Sequence, residues 1–491
     1  MSLSARWSAL RALGQGRGRR LLVLVFLATA LAFAGGASRF DEDQQAIVRI
    51  AAILALSASL WSLDLKPLIE RPGLIFAAGA VYLLVLLQLV PLPPQVWAGL
   101  PGHDVYASIA SEAGVAVWRP LSLTPDLTLN ALYALLPATA AGVAALYLDS
   151  RNRIWLARGV VAVAGVSAVV GLFQVAGGGS GLHLYRVTSD DAPVGLLANR
   201  NHQAAFLSCA VALTGALAGV RRRDVRDPRI GLGAALAVVA VLILAVVSTG
   251  SRMGLALVAV GSVGGLWAYK AAGRRLLPRR LPLRIAFAAG AVALLVGVSL
   301  AAARSGALER LAQTNRVSET RAAMIEPLLA MTKAFMPFGS GFGSFDSAFR
   351  RYEPGGLLST IYMNQAHNEP LQLAIEGGGP ALALLAAFAV WWTWTAVRVV
   401  GRARSPHGHA LSIAWVTTTV ILMASSLVDY PLRTPLLSAL FAVACVEMAR
   451  SARRPSEARG EPVAASLAQL KSAAIWPRRS RSRSWLDGTG R

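Results

Sequence analysis

Three arginines and one histidine stand where their chemistry could act together. Arg252 lies in Ser248-Thr249-Gly250-Ser251-Arg252, a turn of a few residues between two apolar stretches. Arg200, in Asn199-Arg200-Asn201-His202, opens another apolar stretch, and Arg321 follows Ser318-Glu319-Thr320 at the head of a helix-like pattern. His367 stands in Asn364-Gln365-Ala366-His367-Asn368-Glu369-Pro370, just before a long apolar run. A guanidinium fork donates paired hydrogen bonds to phosphate oxygens without losing its proton, and helix starts add N–H donors and a positive dipole end. An imidazole takes up a proton near neutral pH, as a base acting on a hydroxyl must. Taken singly, each arginine has a plainer reading, snorkelling to headgroups or capping a carbonyl, and the histidine could simply cap a helix. Their convergence is what suggests an anion site beside a base.

Other polar residues add less. Asp429-Tyr430-Pro431-Leu432-Arg433 supplies one acid and one base close enough to pair with each other. Asp190-Asp191 and Asp41-Glu42-Asp43 have no histidine at ligand spacing and read as solvated loops, so no metal site is expected. Cys209 and Cys445 lie inside apolar stretches, which leaves no disulfide framework or cysteine metal site. His103 and His183 read as loop residues, as do His407 and His409.

The elements that position these groups are membrane spans. Of 491 residues 55% are hydrophobic and 15% charged, with a mean hydropathy of 0.53, against roughly 25% charged in soluble chains. The fold class is therefore an all-α polytopic membrane protein. About twelve spans are expected, near 21–37, 46–63, 73–91, 126–148, 154–175, 202–219, 230–248, 252–270, 285–302, 370–397, 408–428 and 434–449. The first is basic on its leading side and is expected to be retained. The net charge of +23 would suggest nucleic acid on a soluble domain. Here the basic clusters flank spans and lack interleaved aromatics, so no nucleic acid is expected. With a cytoplasmic N-terminus, 33 of the 48 Lys and Arg fall on the inner side and 13 outside, which puts both termini in the cytoplasm.

Two long segments then lie outside, about 92–125 and 303–369. In the second, Met324, Ile325, Leu328, Leu329, Met331 and Phe335 recur at helical spacing behind Ser318, which predicts an amphipathic helix across the bundle mouth. Gly339-Ser340-Gly341-Phe342-Gly343-Ser344-Phe345 follows, a run that lets backbone approach a ligand or another helix closely. Pro370 and Glu376-Gly377-Gly378-Gly379 predict an irregular start to the next span. Three regions result: a basic arm 1–20, a membrane domain 21–449 and a basic tail 450–491 read as disordered.

The ordered set resembles the O-antigen ligase and O-antigen polymerase superfamily of bacterial inner-membrane glycosyltransferases. The likeness rests on Ser251-Arg252 opening a span, on Arg321 ahead of Pro337 to Phe345, and on His367-Asn368 followed by Leu371 and Glu376-Gly377-Gly378. It covers residues 230–400 most directly. It implies a GT-C-like fold and a donor glycan on undecaprenyl pyrophosphate. It also implies that Arg252 and Arg321 hold the pyrophosphate and that His367 serves the acceptor hydroxyl. Arg200 is added from topology, and Ser251, Gly341, Gly343, Asn368, Glu376, Asp429 and Arg433 are expected to support the pocket.

The expected reaction is metal-independent and inverting, with no cofactor. Polymerisation of surface polysaccharide or exopolysaccharide repeat units is favoured, because nothing singles out a lipid A core acceptor. Ligation to lipid A core is the alternative within the class. Membrane lipid and other polysaccharide assembly proteins are the expected partners. A secondary transporter is the rival class; it would show repeated halves, and none is visible. Reporter fusions at residues 225, 277 and 340 are expected to read inside, inside and outside; the reverse pattern would invert the topology.

Overall fold

The computed structural model describes residues 20–39, 42–61, 65–149, 152–176, 182–189, 192–220, 228–274, 323–357, 363–401 and 405–452. The chain is an all-α polytopic membrane protein. Among the described residues, eight helices are long and apolar enough to cross a membrane. They are α4 (Pro125–Leu146), α5 (Asn152–Val175), α6 (Arg200–Gly219), α7 (Gly231–Ser248), α8 (Arg252–Ala271), α11 (Glu369–Gly401), α12 (Pro406–Ser426) and α13 (Pro435–Ala452). Three apolar helices of 10–17 residues precede them: α1 (Arg20–Ala34), α2 (Gln44–Leu60) and α3 (Pro72–Leu87). Each coincides with an expected span; the segment expected at 285–302 lies outside the described residues, as do the basic arm 1–19 and the tail from 453.

α6 is the central helix, buried almost all round. α8 lies against it because both carry small residues where they touch. A Cβ at Gly261 would meet the Ser208 carbonyl oxygen at 2.4 Å, and one at Gly215 would meet the Gly265 carbonyl oxygen at the same distance. Such contact, without any hydrophobic drive in lipid, rests on close backbone packing. It sets the N-termini of α6 and α8 side by side. Both starts are capped: the Asn199 side chain accepts from the Asn201 N–H at 2.7 Å, and Ser251 Oγ from the Gly254 N–H at 3.0 Å.

Between α8 and α11 the described chain forms α9 (Ile325–Phe335) and α10 (Phe345–Phe349). α9 buries Leu328, Met331 and Phe335 against Phe345, Phe349, Ala366 and Ile375, which is the amphipathic helix read from the spacing. It begins after Met324; Ser318, the expected cap, lies outside the described residues.

α11 breaks where irregularity was expected. Gly378 adopts φ 61° and ψ −153°, and Pro380 has no N–H for the Glu376 carbonyl one turn back. That carbonyl is instead bonded by the Gly341 N–H and by Gln88 Nε2 on the segment after α3, each at 2.9 Å. The Ser340 N–H bonds the Ile375 carbonyl at 2.9 Å, and the Gly379 N–H bonds the Pro337 carbonyl at 2.8 Å. The glycine run thus docks on a helix. Gly339, at φ 81°, has no room for a side chain: its Cβ would lie 2.4 Å from the Glu376 oxygen.

Gly339→Ala is therefore expected to lower the thermal stability of the detergent-solubilised protein by about 1–3 kcal/mol from the left-handed backbone, with the backbone clash added to it. Gly114→Ala, left-handed but facing open space, is expected to cost less. Equal melting shifts in the two variants would contradict the docking.

Candidate functional site

The starts of α6, α8 and α11 and the turn between α12 and α13 meet at Asp429, a carboxylate only 1% exposed. Its Oδ2 accepts from Asn201 Nδ2 at 2.7 Å, and its Oδ1 from its neighbour's backbone, the Tyr430 N–H, at 3.0 Å. His367 Nδ1 lies 3.2 Å from Oδ1, the geometry of an imidazole N–H donating to a carboxylate. Asn201 Oδ1 in turn accepts from Ser251 Oγ at 2.8 Å. One chain of contacts, Ser251–Asn201–Asp429–His367, therefore joins the three helix starts.

Burial works against the Asp429 charge. The imidazoles of His202 and His367 beside it outweigh that penalty and hold the carboxyl well below its ordinary range. His367 is the one non-glycine residue with positive φ among the described residues, at 51°, a conformation that persists only where surroundings enforce it. Its ring also packs on Tyr430, centroids 4.9 Å apart. Its side chain is 21% exposed, so the imidazole is anchored through Nδ1 and only partly withdrawn from the surface.

A second polar centre sits beside the first. Arg433 bonds Glu376 Oε2 at 3.0 Å and Glu369 Oε2 at 3.3 Å. Burial opposes its charge, but the two carboxylates outweigh that and raise its proton affinity, so it stays ionised. Glu376 Oε1 accepts from the Gly343 N–H at 3.2 Å and from Gln372 Nε2 at 3.2 Å. The triad ties the α12–α13 turn to the head of α11 and to the glycine run.

Several sequence expectations need correction here. Asp429 and Arg433 do not pair with each other. The short turn Pro431–Arg433 separates them, so Asp429 serves His367 and Asn201 while Arg433 serves Glu369 and Glu376. Glu42, read as part of a solvated loop, is 5% exposed and its Oε1 accepts from the Val187 N–H at 3.1 Å. His103 does lie in a loop as expected, but it is fully buried edge-on to Trp97, and burial holds its imidazole down at about 4. Asp41, Asp190 and Asp191 lie outside the described residues.

Of the expected anion ligands, Arg200 and Arg252 are the first residues of α6 and α8, each adjacent in sequence to a member of the contact chain. Arg200 is half-buried and Arg252 exposed. Arg321 lies outside the described residues. Asn368 links two elements, Nδ2 donating to the Leu427 carbonyl at 2.9 Å and Oδ1 accepting from the Leu371 N–H at 2.9 Å. Gly341 and Gly343 face Ser122 and Leu127 rather than an open pocket. Asn201 and His202 were missed: at the opening of the span they stand only as neighbours of Arg200, and nothing in the sequence shows what they pair with.

Residues 237–386 match the model of a family described as O-antigen ligase. The match supports the O-antigen ligase and polymerase superfamily for this chain. It spans α8, the glycine run and the kink of α11, and so includes Arg252, Arg321, His367 and Glu376; Arg200, His202, Asp429 and Arg433 lie beyond it. No curated protein matches the chain. The ligase and polymerase superfamily supports glycan transfer of that general type, with lipid-linked glycan and acceptor substrates.

Arg433→Met would strand two buried carboxylates, a loss of about 3–5 kcal/mol where one partner of a buried pair is removed. The folded yield on size-exclusion chromatography is expected to collapse and to recover in part when Glu376→Gln is added. No recovery would show that Arg433 acts through something other than the triad.

Proposed function

We propose that the chain transfers glycan from undecaprenyl pyrophosphate to a sugar hydroxyl at the periplasmic face of the bacterial inner membrane, with both termini in the cytoplasm. The observation that carries this reading is the contact chain Ser251–Asn201–Asp429–His367. It links an anchored imidazole to the helix starts that bear Arg200 and Arg252.

In the step proposed, the acceptor oxygen attacks the anomeric carbon as the bond from that carbon to the pyrophosphate oxygen breaks. Asp429 fixes His367 Nδ1–H, so Nε2 is the nitrogen that takes the acceptor's proton. Negative charge develops on the departing pyrophosphate. Arg252, Arg321 and Arg200 stabilise it with fixed guanidinium groups and two helix N-termini, which supply the charge a divalent ion would otherwise bring. A single displacement inverts the anomeric centre. Glu376, Arg433 and Asn368 hold the head of α11, and with it His367, in place; Gly341 and Gly343 support that head from the glycine run.

Polymerisation of surface polysaccharide or exopolysaccharide repeat units is the reading adopted, with ligation to lipid A core as the second. Deleting the gene and sizing the cell's polysaccharides separates them. Loss of long chains with single repeats still attached indicates the polymerase, and bare lipid A core the ligase.

Arg252→Lys is expected to cut transfer on the order of 10²-fold, since a point charge cannot replace the paired donors, while the protein's level in the membrane stays normal. Wild-type transfer in Arg252→Lys would defeat the anion site. His367→Ala is expected to abolish product while lipid-linked donor still binds, and Asp429→Asn to slow transfer by about 10²–10⁴. Undiminished turnover in His367→Ala would remove the base.

A further inference from the structure

The chain between α3 and α4 is pinned at both ends and along one edge. Its strands Pro91–Leu92 and Arg119–Pro120 pair antiparallel, a few residues from the end of α3 and the start of α4. The Leu123 N–H bonds the Ser340 carbonyl at 3.0 Å and Thr128 Oγ1 donates to the Phe342 carbonyl at 2.6 Å, so this segment and the glycine run lie at one end of the bundle. Within the segment, the helix Asp104–Glu112 is held by Arg351, whose two terminal nitrogens reach the Asp104 carboxylate oxygens at 3.3 and 3.2 Å. Just before that helix, a Cβ at Gly102 would meet the Phe335 ring at 2.5 Å.

What these contacts leave bare is apolar. Ile109 is 60% exposed, and Val105, one turn before it on the same face, is exposed too. By the same spacing Asp104, Ser108 and Ser111 share the neighbouring face, so the uncovered surface of the helix divides into an apolar and a polar half. Farther along, Val117 is exposed and Trp118 is 64% exposed. Trp118 directly precedes Arg119, whose strand partner Leu92 lies five residues beyond Leu87, the exposed last residue of α3. Leu129 in the first turns of α4 is exposed as well. Apolar surface gathered on a segment held this firmly is unfavourable in water and marks a surface that meets something else.

We propose that segment 94–118 rests in the interfacial layer of the leaflet that α4 enters, with Val105, Ile109, Val117 and Trp118 among the lipid headgroups and first acyl carbons. Continuity selects lipid as the occupant: the strip begins where the exposed apolar surfaces of α3 and α4 end. An indole suits that level, since it offers a large apolar ring and one N–H donor. The helix Asp104–Glu112 carries no lysine or arginine, so the contact rests on apolar burial rather than on attraction to anionic lipid, and a neutral bilayer is enough to form it. The inference does not depend on the reaction proposed above.

The chain's two cysteines, Cys209 and Cys445, are both buried, so a nitroxide reagent attaches to a single introduced cysteine in the full chain. Labels at Ile109→Cys and Val117→Cys on the strip, and at Ser111→Cys on the polar face, are read in nanodiscs of dioleoylphosphatidylcholine. Each label is scored by its collisions with oxygen, which concentrates among acyl chains, and with a water-soluble nickel chelate. The oxygen-to-nickel ratio is expected to be several-fold higher at Ile109→Cys and Val117→Cys than at Ser111→Cys. Equal, water-like ratios at the three positions overturn the proposal by placing the strip in solvent. Few collisions with either reagent on the strip overturn it as well, because another protein surface then covers it. All three side chains are exposed, and Val105→Cys on the same strip replaces a variant that does not fold. Glycan transfer is not part of the readout, so failure here leaves the proposed reaction standing, and failure of that reaction leaves this result intact.

Discussion

A carboxylate withdrawn from water must have its lone pairs filled, and at Asp429 that demand organises one end of the bundle. An uncompensated buried charge costs several kcal/mol, so the groups that answer it are held in place. Here they come from three directions: the amide of Asn201 on α6, the backbone of the α12–α13 turn, and the imidazole at the head of α11. Asn201 passes the constraint to Ser251, which also caps α8. Four elements distant in sequence are thereby brought into register by one charge. The strained backbone of His367 is a consequence, since its ring must reach both the carboxylate and Tyr430.

The second centre works by the same logic on the backbone. Pro380 and Gly378 interrupt α11 and leave the Glu376 carbonyl without its helical partner. Gln88 and Gly341 fill it, while the Glu376 side chain receives Arg433 and the Gly343 N–H. Buried ion pairs of this kind add little net stability against a well-packed apolar core. Their contribution is register: the glycine run, the head of α11 and the α12–α13 turn can dock in one arrangement only. Precision of that sort suits a site where a proton and a leaving group must be handled within about an ångström.

Much of this was legible because membrane spans announce themselves by length and apolarity, and every described span fell where composition put it. His367 and Arg252 were legible because polar residues at the mouth of a span need a reason to be there. The break in α11 could be read from Glu376-Gly377-Gly378-Gly379, where consecutive glycines cannot hold a regular helix. What could not be read was pairing. Asp429 and Arg433 are four residues apart and looked like partners, yet a single tight turn sends them to different centres. Asn201 and His202 were hidden because one polar residue in an apolar helix has no visible partner in sequence; its partner is more than two hundred residues away. The same holds for the glycine run, whose contacts with Ser122 and Leu127 come from residues far removed in sequence.

The most direct test of the shared carboxylate is a double-mutant cycle on glycan transfer with Asn201→Ala and Asp429→Asn. If Asn201 acts on His367 only through the Asp429 carboxylate, their effects overlap, and the double variant should be about as slow as Asp429→Asn alone. Losses that multiply, as for independent sites, would contradict the claim that one buried carboxylate links the helix starts to the imidazole.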